Sequence, residues 1–313
     1  MTANTNIFLD AIRINEQDDD FNTIRKEYSD MLQNQLSKGN NGLIKTKYIT
    51  FSIESDTYRK AKPRLERIEM DIINNFKVMG VKAYVLSGKE RVELLHRICN
   101  QDTKEQLNFD WDLVKKGGMS TKDIIAPTSF NFADPKQLKV GKTIGAVSHL
   151  QILAPELTDR MLADILDLNS DVMVNFHIKS IDQTQAIKMI KRKITDIDKM
   201  KIEEQKKAVR SGYDMDILPT DLVTFNTEAK NLLEELQSRN ERLFLVTILI
   251  FNTATTKQNL ENIVFQVGGL AQKYNCAVRR LDYQQENGFL STLPLGENFI
   301  DINRALTTSS TAI

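Results

Sequence analysis

Residues Arg242–Thr253 read RLFLVTILIFNT. Apolar side chains occupy odd and even positions alike, so both faces of an extended chain are hydrophobic here. A strand of that kind is stable only where it is covered on both sides, which predicts a central strand of a sheet. Outward from it, Leu260, Ile263, Val264, Val267 and Leu270 recur at helical spacing, and Ala277–Leu281 reads as another strand. The stretch closes the chain with a β-α-β unit.

Upstream lies a long helical signal. Asp182 and Gln185 form a capping-box-like start to a helix reaching about Arg210, with Ile187, Ile190, Ile194 and Ile197 at steps of three and four. Gly212 and the turn-rich stretch 211–219 stop it. A second helix, about Thr220–Asn240, places Leu222, Phe225, Ala229, Leu232 and Leu236 on one stripe. The two are expected to pack as an antiparallel helical hairpin over 182–240. Before it, Thr143–Leu153 and Asp171–Lys179 read as strands, the latter with Val172, Val174 and Phe176 alternating, and 155–168 as a short helix.

A second β-α-β pattern stands nearer the N-terminus. Lys47–Glu54 alternates, with Ile49, Phe51 and Ile53 to one side and Tyr48, Thr50 and Ser52 to the other, which predicts a half-buried strand. Asp56–Met79 carries the helical stripe Ala61, Leu65, Ile68, Ile72, Phe76, with Pro63 read as early in the helix and Gly80 as its left-handed end. Val81–Leu86 reads as a strand, and Ser87 with Glu90 as a capping box opening a helix with Val92, Leu95 and Ile98 inward. The region 101–142, with Trp111, Gly117–Gly118, Pro127 and Pro135, is irregular and is expected to connect lobes through short strands.

The expected fold is therefore α+β (mixed α/β): β-α-β units with helices covering a sheet, plus the helical hairpin. The expected organisation is an N-terminal extension with a helix at 21–36 (1–45), a first lobe and connector (46–142), a second lobe carrying the hairpin (143–296) and a linker (297–313).

Composition bounds the chemistry. The 313 residues carry 42 Lys+Arg against 42 Asp+Glu, with 41% apolar and 27% charged residues, as in an ordinary globular protein. The zero balance gives no global pull towards nucleic acid or anionic lipid. No apolar run approaches the ~20 residues of a membrane-spanning helix, and Met1–Asp10 lacks a secretory pattern. The acidic run Glu16–Asp20 lacks the spacing of a calcium loop, and KGNNG at 38–42 is a break. Cys99 and Cys276 belong to no Cys-x-x-Cys pair and read as buried, reduced thiols, and His96, His149 and His177 form no zinc spacing. His96 and Cys99 could share a helix face, which packing explains as well as chemistry does.

Gly141-Lys142-Thr143 resembles the end of a phosphate loop, but Lys136 stands where the first glycine belongs, and a strand rather than a helix is expected to follow. The helix at 188–210 carries nine basic residues against four acids. Lys188, Lys191, Arg192, Lys199, Lys206, Lys207 and Arg210 are the candidate interaction surface, set against the plainer reading of a solvated, mixed-charge face without aromatic residues to stack on bases. No catalytic motif, cofactor motif or metal-ligand set is legible.

Five stretches carry a family resemblance: Lys60–Asn75 (KAKPRLERIEMDIINN), Ser120–Phe130 (STKDIIAPTSF), Leu150–Ala163 (LQILAPELTDRMLA), Ser180–Met215 (SIDQTQAIKMIKRKITDIDKMKIEEQKKAVRSGYDM) and Lys273–Pro294 (KYNCAVRRLDYQQENGFLSTLP). Together they resemble the N-terminal region of conjugative type IV secretion ATPases, the CagE/TrbE/VirB family in its Gram-positive mobile-element form, from about Asp18 to Ile313. Leu293–Gly296 (LPLG) and Leu306–Ala312 (LTTSSTA) look like the approach to that family's ATPase domain. The resemblance implies a fragment of a longer ATPase, without Walker motifs of its own and with ATP and Mg bound only in the domain that would follow. It implies a non-catalytic docking part at the cytoplasmic face of the membrane. Expected partners are membrane subunits of the conjugation channel, the chain's own C-terminal ATPase domain and a second copy. The alternative is a nucleic-acid-binding lobe guiding transferred DNA along 188–210.

Overall fold

The computed structural model describes residues 20–37, 45–101, 107, 110–153, 159–212, 219–238 and 241–311. In chain order these form α1 (Asn22–Ser37), α2 (Tyr58–Val78), α3 (Gly88–Cys99), α4 (Trp111–Gly117), α5 (Thr121–Ile125), β1 (Phe130–Asn131), β2 (Leu138–Val140) and β3 (Thr143–Ile152). There follow α6 (Asp159–Leu166), β4 (Val172–Ser180), α7 (Gln183–Arg210), α8 (Thr220–Ser238), β5 (Leu243–Ala254), α9 (Lys257–Lys273), β6 (Cys276–Arg280), α10 (Gln285–Thr292), β7 (Arg304–Thr307) and α11 (Thr308–Thr311). The strands form one sheet in the order β1-β2-β3-β5-β4, with β6 added to β3 and β7 to β5. The fold is α+β, as the sequence predicts. The readings of residues 1–10, 16–19, 38–42, 154–158 and 213–218 lie outside the described residues.

The chain forms two compact units that interleave in sequence: Met1–Leu153, Asp159–Val174 and Leu249–Ile300 in one, Ala154–Thr158, Asn175–Ile248 and Asp301–Ile313 in the other. In the first, β3 runs antiparallel to β5 over 144–149 and to β6 over 148–152. β5 and β6 therefore run in the same direction with β3 between them, and α9 makes the crossover of the expected β-α-β unit. Val147, Leu249 and Phe251 point into one core with Leu95 and Cys99 of α3, Leu138 and Val140 of β2, and Phe289 of α10. The alternate side chains of the same strands, Ala146, Leu150 and Ile250, are also buried, and α9 packs against β3 with Leu260, Val267 and Ala271 inward. Helices on both sides are what the doubly apolar run at 242–253 requires.

β2 reaches only as far as Gly145 along the edge of β3, and β6 begins at Ser148. The gap falls at Val147, where Leu281 N–H donates to the C=O at 3.1 Å and a side chain supplies the remaining bonds. The Gln285 carboxamide accepts from Val147 N–H at 2.8 Å and donates to Val147 C=O at 3.0 Å and to Leu281 C=O at 2.9 Å. Gln285 is 2% exposed, so its three bonds are shielded from water. Gly288, one turn on, lets α10 lie this close: a Cβ there would stand 2.8 Å from Leu281 and 3.0 Å from Val147.

In the second unit, α7 and α8 pack antiparallel. Gln183 Nε2 donates to Leu236 C=O at 2.6 Å and to Glu241 C=O at 3.1 Å, while Asn226 Nδ2, further along α8, donates to Asp198 Oδ1 at 2.6 Å. Ala186, Ile190, Leu236 and Leu243 form the buried seam. β7 pairs antiparallel with Leu243–Val246.

Several local expectations hold. Ser87 and Glu90 form the reciprocal capping box, Val92 and Leu95 are buried, and Gly80 adopts φ 72° after α2. Others need correction. Residues 47–54 and 81–86 form no strand, and Ile49 (60% exposed) and Tyr84 (77% exposed) face solvent. Alternation makes a segment competent to pair without providing a strand to pair with. Pro63 sits beyond the first turn, because α2 begins at Tyr58, so the helix forgoes one internal hydrogen bond. Phe225 and Phe176 are exposed; on α8 the neighbouring Asn226 takes the buried position, drawn in by its bond to Asp198.

Two predictions follow from these contacts. Gln285→Ala leaves the Val147 N–H unpaired in a dry core, so the unfolding free energy should fall by about 1–3 kcal/mol; a loss under about 0.5 kcal/mol in urea titration would mean that the bridge is incidental. Arg280 clasps Glu261 through two 2.9 Å bonds, and the guanidinium holds that carboxyl below its ordinary value of 4.5. A depressed carboxylate stabilises above its unfolded pKa, and the contribution is lost as pH falls through the folded value. The stability gap between the parent and Glu261→Gln should therefore be present at neutral pH and close on acidification below about pH 4.5; a gap that stays constant with pH would contradict this.

Candidate functional site

The basic residues singled out in the sequence all lie on α7, and helix phase decides which of them act together. The Asp182 side chain caps the helix start, accepting from Thr184 N–H at 2.9 Å and Gln185 N–H at 3.2 Å. Gly212, at φ 76°, ends it. Ala186 and Ile190 are buried and Ile194 is half-buried, which fixes the inward direction.

At about 100° per residue, Lys188, Arg192, Lys199, Lys206 and Arg210 fall within an arc of roughly 40°, about 180° from that seam. All five are exposed. They mark a straight stripe about 33 Å long, at 1.5 Å rise per residue. Lys191 and Lys207 flank it, roughly 80° to either side. The structure thus brings five of the seven named cations onto one line and leaves two beside it. This selection was open to sequence reasoning, since the phase follows from the isoleucine spacing.

Carboxylates temper the stripe. Asp196 and Glu203 stand on its margin; Asp196 pairs with Lys199 at 3.6 Å, and Glu204 with Lys207. Among the described residues, Lys188, Arg192, Lys206 and Arg210 have no carboxylate within ion-pair distance. Gln185, Lys188, Met189, Arg192, Lys193 and Asp196 line a shallow, open hollow at its N-terminal half. Its chemistry suits an extended anionic surface better than a small enclosed ligand.

The other titratable groups with displaced pKa values each have a local structural cause. Burial pushes the Cys99 thiol up to about 11, so it stays protonated beside His96; Cys276 is likewise buried and free. Burial lowers the His149 pKa, and among the described residues its Nδ1 has no hydrogen-bond partner. Asp164 is lowered by the Tyr274 hydroxyl, which donates to it at 2.5 Å and pins α9 to α6. Among the described residues, no group of three or more His, Cys, Asp or Glu could hold a metal ion, and no helix is long and apolar enough to cross a membrane.

Gly141-Lys142 forms a two-residue hairpin turn between β2 and β3: Val140 pairs with Thr143, and Gly141 has φ 59°. Positive φ at the first turn position alone fits the type II′ hairpin. β3 follows, so no helix N-terminus faces this turn as a phosphate loop requires.

Comparison with known proteins assigns no family: no protein-family model matches the chain, and no curated protein matches it.

Replacing Lys188, Arg192, Lys199, Lys206 and Arg210 together by Gln should change stability by no more than about 1 kcal/mol, because exposed charges contribute little. Asp198→Ala, which strips the buried Asn226 amide of its acceptor, should cost about 1–3 kcal/mol. Denaturant titration of the two variants separates a surface kept for contact from one kept for folding; the opposite ranking would make the stripe structural.

Proposed function

We propose that this chain is the non-catalytic docking and assembly part of a conjugative DNA-transfer ATPase of the type IV secretion, VirB-like class carried by mobile genetic elements. Its role in this reading is protein–protein interaction: it fastens the motor to membrane subunits of the channel and joins it to a C-terminal ATPase domain. Its location is cytoplasmic and peripheral at the inner face of the membrane, held there through those subunits. The observation that carries the reading is the resemblance of five separated stretches between Lys60 and Pro294. The α7 stripe supports it: a 33 Å line of cations, at about 1.5 Å per residue, offers an assembly contact that the hairpin's own packing does not use.

A nucleic-acid-binding lobe is the second reading, favoured by the same stripe. The marginal carboxylates Asp196 and Glu203 and the lack of aromatic side chains along it weigh against base stacking. Single-strand binding with a slope of log affinity on log salt that falls by about 0.7 per neutralised cation would favour it.

Two measurements test the docking reading. In cells making the channel's membrane subunits, the chain should sediment with the membrane fraction, and it should stay in the supernatant when those subunits are absent. The purified chain should show no saturable ATP hydrolysis; turnover abolished by Lys142→Ala would overturn the reading, as would membrane association independent of the subunits.

A further inference from the structure

Two buried polar side chains stand on the face of the sheet that α9 covers. Ser148 of β3 and Asn252 of β5 are both 0% exposed. Ala146 pairs with Asn252 and Ser148 with Ile250, so Ser148 and Asn252 are diagonal neighbours on one face. Ser148 also stands directly opposite Arg280 of β6, whose guanidinium reaches Glu261 of α9. That contact places the pair beneath the helix.

The Ser148 hydroxyl and both Oδ1 and Nδ2 of Asn252 are buried and bond to no group among the described residues. A buried amide with both ends unpaired is rare, because the bonds it made to water in the unfolded chain are then lost without replacement. Other polar groups of these strands are served: Gln285 completes the bonding of Val147, and Thr247 Oγ1 donates to Ile302 C=O at 2.8 Å. Above Ser148 and Asn252, α9 turns Leu260, Val267 and Ala271 inward, and these offer only hydrocarbon.

The chemistry of the three atoms selects what can satisfy them. Asn252 Oδ1 needs a donor, Nδ2 needs an acceptor, and the Ser148 hydroxyl can be either. A cation would suit Oδ1 and oppose Nδ2, and an anion would do the reverse. A neutral group that donates and accepts through one oxygen suits all three. Diagonal neighbours of an antiparallel pair have Cβ atoms about 7 Å apart. Two hydrogen bonds of about 2.8 Å meeting at one oxygen span about 5 Å, which is the gap left once both side chains lean inward.

We propose that Ser148 and Asn252 form an internal hydration site, holding a water molecule between the sheet and α9 that ties β3 to β5. The proposal stands on this geometry and does not rest on the docking reading.

A crystal structure of the full chain should show an ordered water within about 3.2 Å of both Ser148 Oγ and an Asn252 amide atom. In solution, the Asn252 side-chain amide protons should show a nuclear Overhauser effect to water that Ser148→Ala abolishes. Urea titration reads the energetics. With the water held, Ser148→Ala and Asn252→Leu should each lower the unfolding midpoint, and the double variant should lose less than the two losses added, because either change alone releases the water. Groups that are unpaired give the opposite sign, since replacing them by apolar ones stabilises. Ser148→Ala, which removes one oxygen, and the Overhauser effect keep the test decisive if Asn252→Leu does not fold. A raised midpoint for either single variant, a direct Ser148–Asn252 bond with no water between them, or the lack of the Overhauser effect in the parent chain would overturn the proposal.

Discussion

The first unit depends on closing the backbone of β3 at Val147. Along one edge, β2 stops at Gly145 and β6 starts at Ser148; Leu281 N–H reaches Val147 C=O at 3.1 Å, and the Val147 N–H would otherwise face a dry core unpaired. An amide group in that position costs free energy comparable to a lost hydrogen bond. Gln285 supplies a carboxamide, the one neutral side-chain group that donates and accepts in the geometry of a peptide, and so continues the ladder across the gap. With β3 closed, the strand can be covered on both faces, Val147 on one side and Ala146 and Leu150 on the other. α3 and α10 cover one and α9 the other, and the strand that reads RLFLVTILIFNT can be buried beside it.

Much of this frame was legible. β3, β5, α7, α9 and β6 fall close to their expected limits, because long apolar runs and sustained helical periods are strong local signals. The capping box at Ser87 and the Asp182 cap were legible for the same reason: their partners lie within three residues. What was not legible depends on distance in sequence. Gln285 reaches a peptide 138 residues away, and nothing in its neighbourhood announces that. Asn226 displaced Phe225 from the hairpin's interior because Asp198, 28 residues earlier, offers it an acceptor. The strands expected at 47–54 and 81–86 are a different case: alternation is a local signal, while a strand needs a partner to pair with, and neither segment forms a strand.

The candidate surface shows the same division. That α7 is basic could be counted. That Lys188, Arg192, Lys199, Lys206 and Arg210 form one line opposite the buried seam needed the helix phase, and that the hairpin leaves them exposed needed α8 on the other side. The line is an open surface with a shallow hollow along its N-terminal half.

The central proposal is that this chain is the non-catalytic docking part of a conjugative transfer ATPase. The most direct measurement is to sequence the coding region that follows Ile313. The account predicts an uninterrupted frame with a G-x-x-x-x-G-K-[ST] motif within about 100 residues, between a strand and a helix. A frame that ends at once, or continues without that motif, would contradict it.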